Sequence, residues 1–353
     1  MRRFLVTLMV LICFPAFSQE NTTFVSGRFQ QGSIIIHSRA IRAIEDSYPY
    51  GLQFDFGWHK KSEKDWNACN CYPKVGISLG VWNFDNPDVL GYGATGLFFL
   101  QPVFRADKKF SFSIRGGMGL SYQTKPHDPE SNPDNLSYST YLAFPLHLAL
   151  AGHFRISDQW KADLQLEYNH ISNGGMKQPN KGINWPTVSI GATRYFSPLV
   201  FPEREKHDWR MEAVDRNRTD ITVFSTFQEP EESLVYLSGG LELRQLRRVG
   251  RISNISLGGE WMYDSYTAAL SKGMEKDSGH HLGVAAGHEF ILGNFLFSQQ
   301  FGVYLLRPSA RPEDVYQRYA FVYRLSQKFS TGVSLKAHGH VADFLDLRLG
   351  FSF

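Results

Sequence analysis

The sequence predicts an all-β protein: an antiparallel transmembrane β-barrel of the outer membrane, with about 16 strands and a range of roughly 12–16. Three observations predict it. Short segments alternate apolar and polar residues from residue 32 to Phe353, with turn residues between them. Aromatic residues make up 14% of the chain and glycine contributes 31 residues, yet mean hydropathy is only −0.28. The apolar residues are therefore spread over half-apolar strands and not gathered into core helices. Finally, no stretch beyond the N-terminal segment approaches the roughly 18 consecutive apolar residues of a membrane helix.

The elements follow in order. Arg2 and Arg3 precede an apolar run from Phe4 to Phe14, then Ala16-Phe17-Ser18, which reads as a secretory signal over 1–18 cleaved near Ser18. Ile12 before Cys13 argues against a lipoprotein site. Strands are expected near 32–37, 50–60, 73–83, 92–105, 110–122, 138–154, 159–171 and 185–196. A second set is expected near 219–227, 232–246, 253–264, 280–291, 294–306, 314–325, 328–338 and 342–353. With the first strand running outward, the outer ends carry the long loops 38–49, 84–91, 123–137, 172–184 and 265–279. The inner ends carry tight turns such as Ser157-Asp158 and Leu292-Gly293.

Two inner segments, 61–72 and 197–218, are longer than that rule allows. The second holds Glu203-Arg204-Glu205-Lys206-His207-Asp208 and is expected to be a charged connector between a barrel region at 19–196 and further strands at 219–353. One continuous barrel is the expectation, because a membrane barrel closes every edge; two tandem eight-stranded barrels are the alternative. Leu345, Leu347, Leu349, Phe351 and Phe353 alternate with polar or small residues, which looks like the terminal strand read by the outer-membrane barrel assembly machinery. A net charge of +3 without a basic tract gives no support to a nucleic-acid partner.

Chemistry concentrates around His170. Trp160, Ala162, Leu164, Leu166, Tyr168 and His170 share one strand face, and Ser172 has the same parity. Asn184 shares the apolar parity of the returning strand with Pro186, Val188, Ile190 and Ala192. A base, a hydroxyl and an amide can thus meet on the outward face at a hairpin end. A serine needs an imidazole to take its proton, and the imidazole needs a third group to fix its tautomer. Glu167 has the opposite parity and is excluded as that third group.

His170-x-Ser172-Asn173, then Lys177-Gln178-Pro179-Asn180-x-Gly182 and a strand ending Tyr195-Phe196, resembles the lipid A 3-O-deacylase family. The likeness runs more loosely back to about residue 32, and the chain is also similar to longer acyloxyacyl-hydrolase-type relatives with a C-terminal extension. These are outer-membrane β-barrel esterases. The resemblance implies His170 as general base and Ser172 as nucleophile, with Asn173 and Asn180 around the oxyanion site. The family's third triad member is a glutamate, and the matching position here is Asn184. It further implies lipid A of the outer leaflet as substrate, no metal and no cofactor. Lys177 and Lys181 are candidate contacts for its phosphates. A non-catalytic barrel, whether channel or structural protein, and a phospholipase or general esterase using the same His-Ser pair remain the alternatives.

Other residues carry less. His338 and His340 are expected in the lumen beside Lys336, without a third metal ligand. His280-His281 read as loop residues facing opposite ways, and Lys125–Glu130 as a solvated outer loop. Cys69-x-Cys71 forms a tight local disulfide or has no role.

Overall fold

In the computed structural model, which describes residues 21–206, 208–211, 216–231, 234–274, 278–339 and 341–353, the strands close twice into rings. The expected signal segment 1–18, His207 and His340 lie outside the described residues. The first ring begins with β1 (Asn21–Gly32), β2 (Tyr50–Lys60), β3 (Lys74–Asn83) and β4 (Tyr92–Gln101). After the two-residue β5 (Val103–Phe104) it continues with β6 (Phe110–Gln123), β7 (Leu142–Arg155), β8 (Trp160–Ser172) and β9 (Ile183–Tyr195). Pairing of β4 with β6 and of β1 with β9 closes it. The second ring takes β10 (Asn217–Glu231), β11 (Leu234–Gly250), β12 (Ser253–Asp264) and β13 (His280–Leu292). It is completed by β14 (Phe295–Leu306), β15 (Val315–Arg324), β16 (Phe329–His338) and β17 (Val341–Ser352), and β17 pairs back on β10.

The barrel class and the strand number are as expected; the single continuous ring is not. Since β9 spends its outer edge on β1, no edge remains for β10 to join, and the chain starts a second barrel. The first strand also moves, from 32–37 to Asn21–Gly32. Its inward residues Ser26, Arg28 and Gln30 are buried, while the outward row includes Thr23, Gly27 and Gln31, so hydrophobic alternation is faint there. His280 and His281 are strand residues of β13, not loop residues, and they do face opposite ways, with His281 buried.

Period 2 sorts most of the strands into an apolar outside and a polar inside. Leu164, Leu166, Val188 and Ile190 are exposed on the outer wall, whereas Asp163, Gln165, Glu167 and Asn169 are buried in the first lumen. An eight-stranded barrel has an interior just wide enough for side chains, and here charge pairs fill it. Arg115 donates to both oxygens of Asp55 at 2.6 and 3.0 Å, and Arg28 pairs with the same carboxylate. In the second lumen Lys336 pairs with Glu260 at 2.6 Å and Arg348 with Glu242 at 2.7 Å.

Both ends of the first barrel are plugged. At the short-turn end, helix α1 (Glu63–Cys69), the Cys69–Cys71 disulfide and the connector account for the two overlong segments. Tyr72 stacks on Phe201 and donates to the Pro202 carbonyl at 2.7 Å. The Trp66 indole donates to Glu205 O at 2.9 Å. At the long-loop end, Ile41, Ile44, Phe84, Leu90 and Tyr138 from the loops pack on Trp82, Ala143, Ile171, Ile183 and Trp185 from strand ends. Tyr138 donates to Leu90 O at 3.2 Å; burial pushes its phenol pKa up, so it remains a neutral donor.

Candidate active site

The register of β8 against β9 builds the site. Four outward pairs climb the wall: Leu164 opposite Ile190, Leu166 opposite Val188, Tyr168 opposite Pro186, and His170 opposite Asn184. The apolar ladder therefore ends in an aromatic residue and then a polar pair, one strand repeat above it. Between these outward residues, Ile171, Ile183 and Trp185 point inward and are buried in the loop-end core. Each such side chain contributes roughly 1.5–3 kcal/mol by burial, and together they clamp the backbone that carries His170, Ser172 and Asn184.

His170 Nδ1 lies 2.6 Å from Asn184 Oδ1, and the Asn184 amide nitrogen lies 3.1 Å from His37 Nδ1. An amide oxygen only accepts, so His170 carries its proton on Nδ1 and leaves Nε2 as the basic nitrogen. Ser172 is buried beside it. The imidazole and Ser172 flank Gly182: a Cβ built there would sit 2.8 Å from His170 Cε1 and 3.4 Å from Ser172 Cβ. Gly182 also has φ of +70°, which only glycine adopts readily. The serine Oγ accepts the Gly174 N–H at 3.4 Å and does not bond the imidazole. Such bonds are often long without substrate and tighten when it binds.

The two asparagines divide differently from expectation. The Asn173 backbone N–H is not open to an oxyanion, because it donates to Asn180 Oδ1 at 2.9 Å. Its side-chain amide donates to Lys177 O at 2.6 Å and Ser139 Oγ at 3.1 Å, which makes Asn173 a brace of the loop. Asn180 Nδ2, by contrast, is buried without a partner, and a buried unpaired donor is costly unless something completes it. Lys181 N and Gly182 N donate to Leu136 O and Ser137 O at 3.0 and 2.7 Å. The loop after β6 thus packs over this turn through residues 136–139, while Asp128, Pro129 and Glu130 stay exposed as expected.

Glu167 is held in the lumen by Thr187 and Ser189 at 3.0 and 2.7 Å, as its parity requires. His338 accepts or donates to the Tyr304 hydroxyl at 3.0 Å; among the described residues no three His, Cys, Asp or Glu side chains gather as a metal site.

Two family models match this chain. One, described as lipid A 3-O-deacylase (PagL), matches residues 48–193, and the other, described as acyloxyacyl hydrolase, C-terminal domain, matches residues 217–353. The chain belongs to this family. The second barrel is thus the family's C-terminal domain, and the first carries the deacylase match. Among solved structures, the chain is similar to the crystal structure of the outer membrane enzyme PagL. The identity is 16%, with 47% of this chain and 97% of that one covered and a TM-score of 0.34. It is also similar to a mutant Rh. blastica porin at 10% identity, with 94% and 100% covered and a TM-score of 0.21. No curated protein matches it.

His37 is the site residue that sequence reasoning missed. It lies beyond β1 in a segment read as a strand, and nothing in its local pattern points toward Asn184. The only available signal was that the family glutamate is replaced here, which asks what else supports the amide.

Proposed function

We propose that this chain is an outer-membrane serine esterase that removes an ester-linked acyl chain from lipid A. The observation that carries this reading is the outward His170–Asn184 pair beside Ser172, set at the top of an apolar wall. A soluble substrate would have no reason to be processed there. An outer-leaflet glycolipid carries its ester bonds at that depth, and its acyl chains would lie along Leu146 and Tyr168, which are exposed next to the site. Family membership supports the same substrate class.

In this mechanism His170 Nε2 takes the Ser172 hydroxyl proton as Oγ attacks the ester carbonyl carbon. The oxyanion is met by the unpartnered Asn180 amide. Collapse expels the sugar alkoxide, which takes the proton back from His170. A water then gives a proton to His170 as it attacks the acyl-serine carbonyl carbon, and collapse releases the fatty acid while Ser172 Oγ takes that proton back from His170. Asn184 holds the imidazole in the Nδ1–H form throughout.

Lumens filled by buried ion pairs weigh against a channel. Mass spectrometry of lipid A from cells making the wild type, Ser172→Ala or His170→Ala tests the proposal. One lost acyl chain in the wild type alone supports it. Unchanged lipid A with free fatty acid released from phospholipid would move the reading to a phospholipase, and no product from either would leave a structural barrel.

A further inference from the structure

We infer that His37 is a positioning residue of the esterase: it fixes which end of the Asn184 amide faces His170, and so which nitrogen of His170 is basic. This rests on the proposed serine mechanism. A carboxylate at position 184 would accept a hydrogen bond through either oxygen, and its orientation would be immaterial. An amide has two unlike ends. If its NH2 faced His170, the imidazole would have to accept on Nδ1 and carry its proton on Nε2, where it could not take the serine proton.

The structure supplies a chain of contacts whose shortest members run in one direction. His37 Nε2 lies 2.9 Å from the Lys181 carbonyl, which only accepts, so Nε2 carries the proton. In the neutral ring Nδ1 is then an acceptor, and what lies 3.1 Å from it is the Asn184 NH2. The Ile35 carbonyl also approaches Nδ1, but at 3.4 Å it is the longest contact of the set. With its NH2 committed to His37, Asn184 presents Oδ1 to His170. The backbone anchors both partners: Ile35 N donates to Asn184 O at 2.8 Å, and Lys181 N donates to Leu136 O at 3.0 Å. One exposed-side histidine from a different segment thus decides the tautomer of another.

The test is a cycle on the full-length protein in lipid A–detergent micelles. His37→Phe keeps the ring and removes both nitrogens. In the wild-type background it should lower kcat by at least about 10-fold and by at most the about 10⁴-fold that a triad imidazole in the wrong tautomer costs, with KM little changed. In an Asn184→Glu background the same change should cost less than about threefold, since a carboxylate needs no orientation. His37→Gln, which can accept from Asn184 and donate to Lys181 O, should recover most of the rate. Equal losses from His37→Phe in both backgrounds would overturn the inference and make His37 a packing residue. A second readout does not depend on turnover. Nitrogen NMR of histidine-labelled protein, with His170 assigned by its absence in His170→Ala, should show the Nδ1–H form in the wild type and its loss in His37→Phe. The same tautomer in both proteins overturns the inference. Activity surviving Ser172→Ala would instead sink the serine mechanism while leaving the tautomer result to stand.

Discussion

The Leu345 N–H donates to the Gly174 carbonyl at 2.9 Å, so a strand of the second barrel is bonded directly to the turn that follows Ser172. The Glu229 N–H does the same to the Met176 carbonyl at 2.8 Å. Regular pairing of β10 with β17 ends at Ser225 opposite Leu347. Beyond it the side chains of Thr226 and Gln228 donate to Leu345 O and Asp343 O at 2.6 and 3.3 Å, and the Gly174–Met176 segment supplies backbone partners to both strands. Unpaired backbone groups at a buried edge are costly, so the turn completes the second barrel's seam while the seam holds the turn. The C-terminal domain is then part of what shapes the site.

Gly175 should be the most sensitive point of that junction. It has φ of +80°, and a Cβ there would lie 2.2 Å from the Asp343 carbonyl. Gly175→Val should drive the turn out of the seam and displace Ser172 from its partners. A displacement of about 1 Å can cost on the order of 100-fold in rate. Deacylation kinetics, alongside gel mobility of the unheated barrel, check this; a folded variant with full activity refutes the positioning role.

Ser172→Ala and His170→Ala should each remove nearly all catalysis, on the order of 10⁶-fold for a nucleophile and base that act as a unit. The double variant should then be no slower than either single one. A fluorophosphonate probe should label the wild type and fail on Ser172→Ala. Multiplying losses in the double variant would mean that the two residues work separately.

Stability should hinge on the lumen, not on surface charge. Asp55 serves both Arg28 and Arg115, and all three are buried. Asp55→Leu would strand two cations and should cost about 3–5 kcal/mol, read as a shift in urea unfolding midpoint in detergent. Asp107→Ala, which breaks an exposed pair with Lys108, should give no resolvable shift. Equal midpoints for the two variants would mean that the lumen network adds nothing.

What could be read from sequence was whatever a single strand determines by itself. The parity of β8 and β9 placed His170, Ser172 and Asn184 outward and Glu167 inward, because a half-buried strand writes its faces in period 2. Pairing partners leave no such trace. Whether β9 bonds to β1 or β10 decides between one barrel and two, yet both choices need the same alternation. The outward row of β1 is too weakly apolar to announce itself. His37 reaches Asn184 only because its loop folds back through Ile35 N to Asn184 O, a contact between segments far apart in the chain.

Position 184 offers the sharpest test of how the site works without the family's glutamate. Asn184 Oδ1 accepts from His170 Nδ1 at 2.6 Å, which orients the ring; in the proposed mechanism it would stabilise the transition-state imidazolium only through a dipole. Asn184→Glu would keep an acceptor there and add a negative charge, which favours the charged ring more strongly. Activity should therefore hold or rise, provided the longer side chain fits between His37 and His170. Asn184→Leu removes the acceptor altogether. The ring can then adopt the wrong tautomer, and kcat should fall by as much as about 10⁴-fold, the scale seen when a triad imidazole is held in the wrong form. Steady-state kinetics of the three proteins on purified lipid A separate the cases. If wild type, Asn184→Glu and Asn184→Leu turn over equally, residue 184 is only a strand-end residue, and Ser172 and His170 work as a dyad.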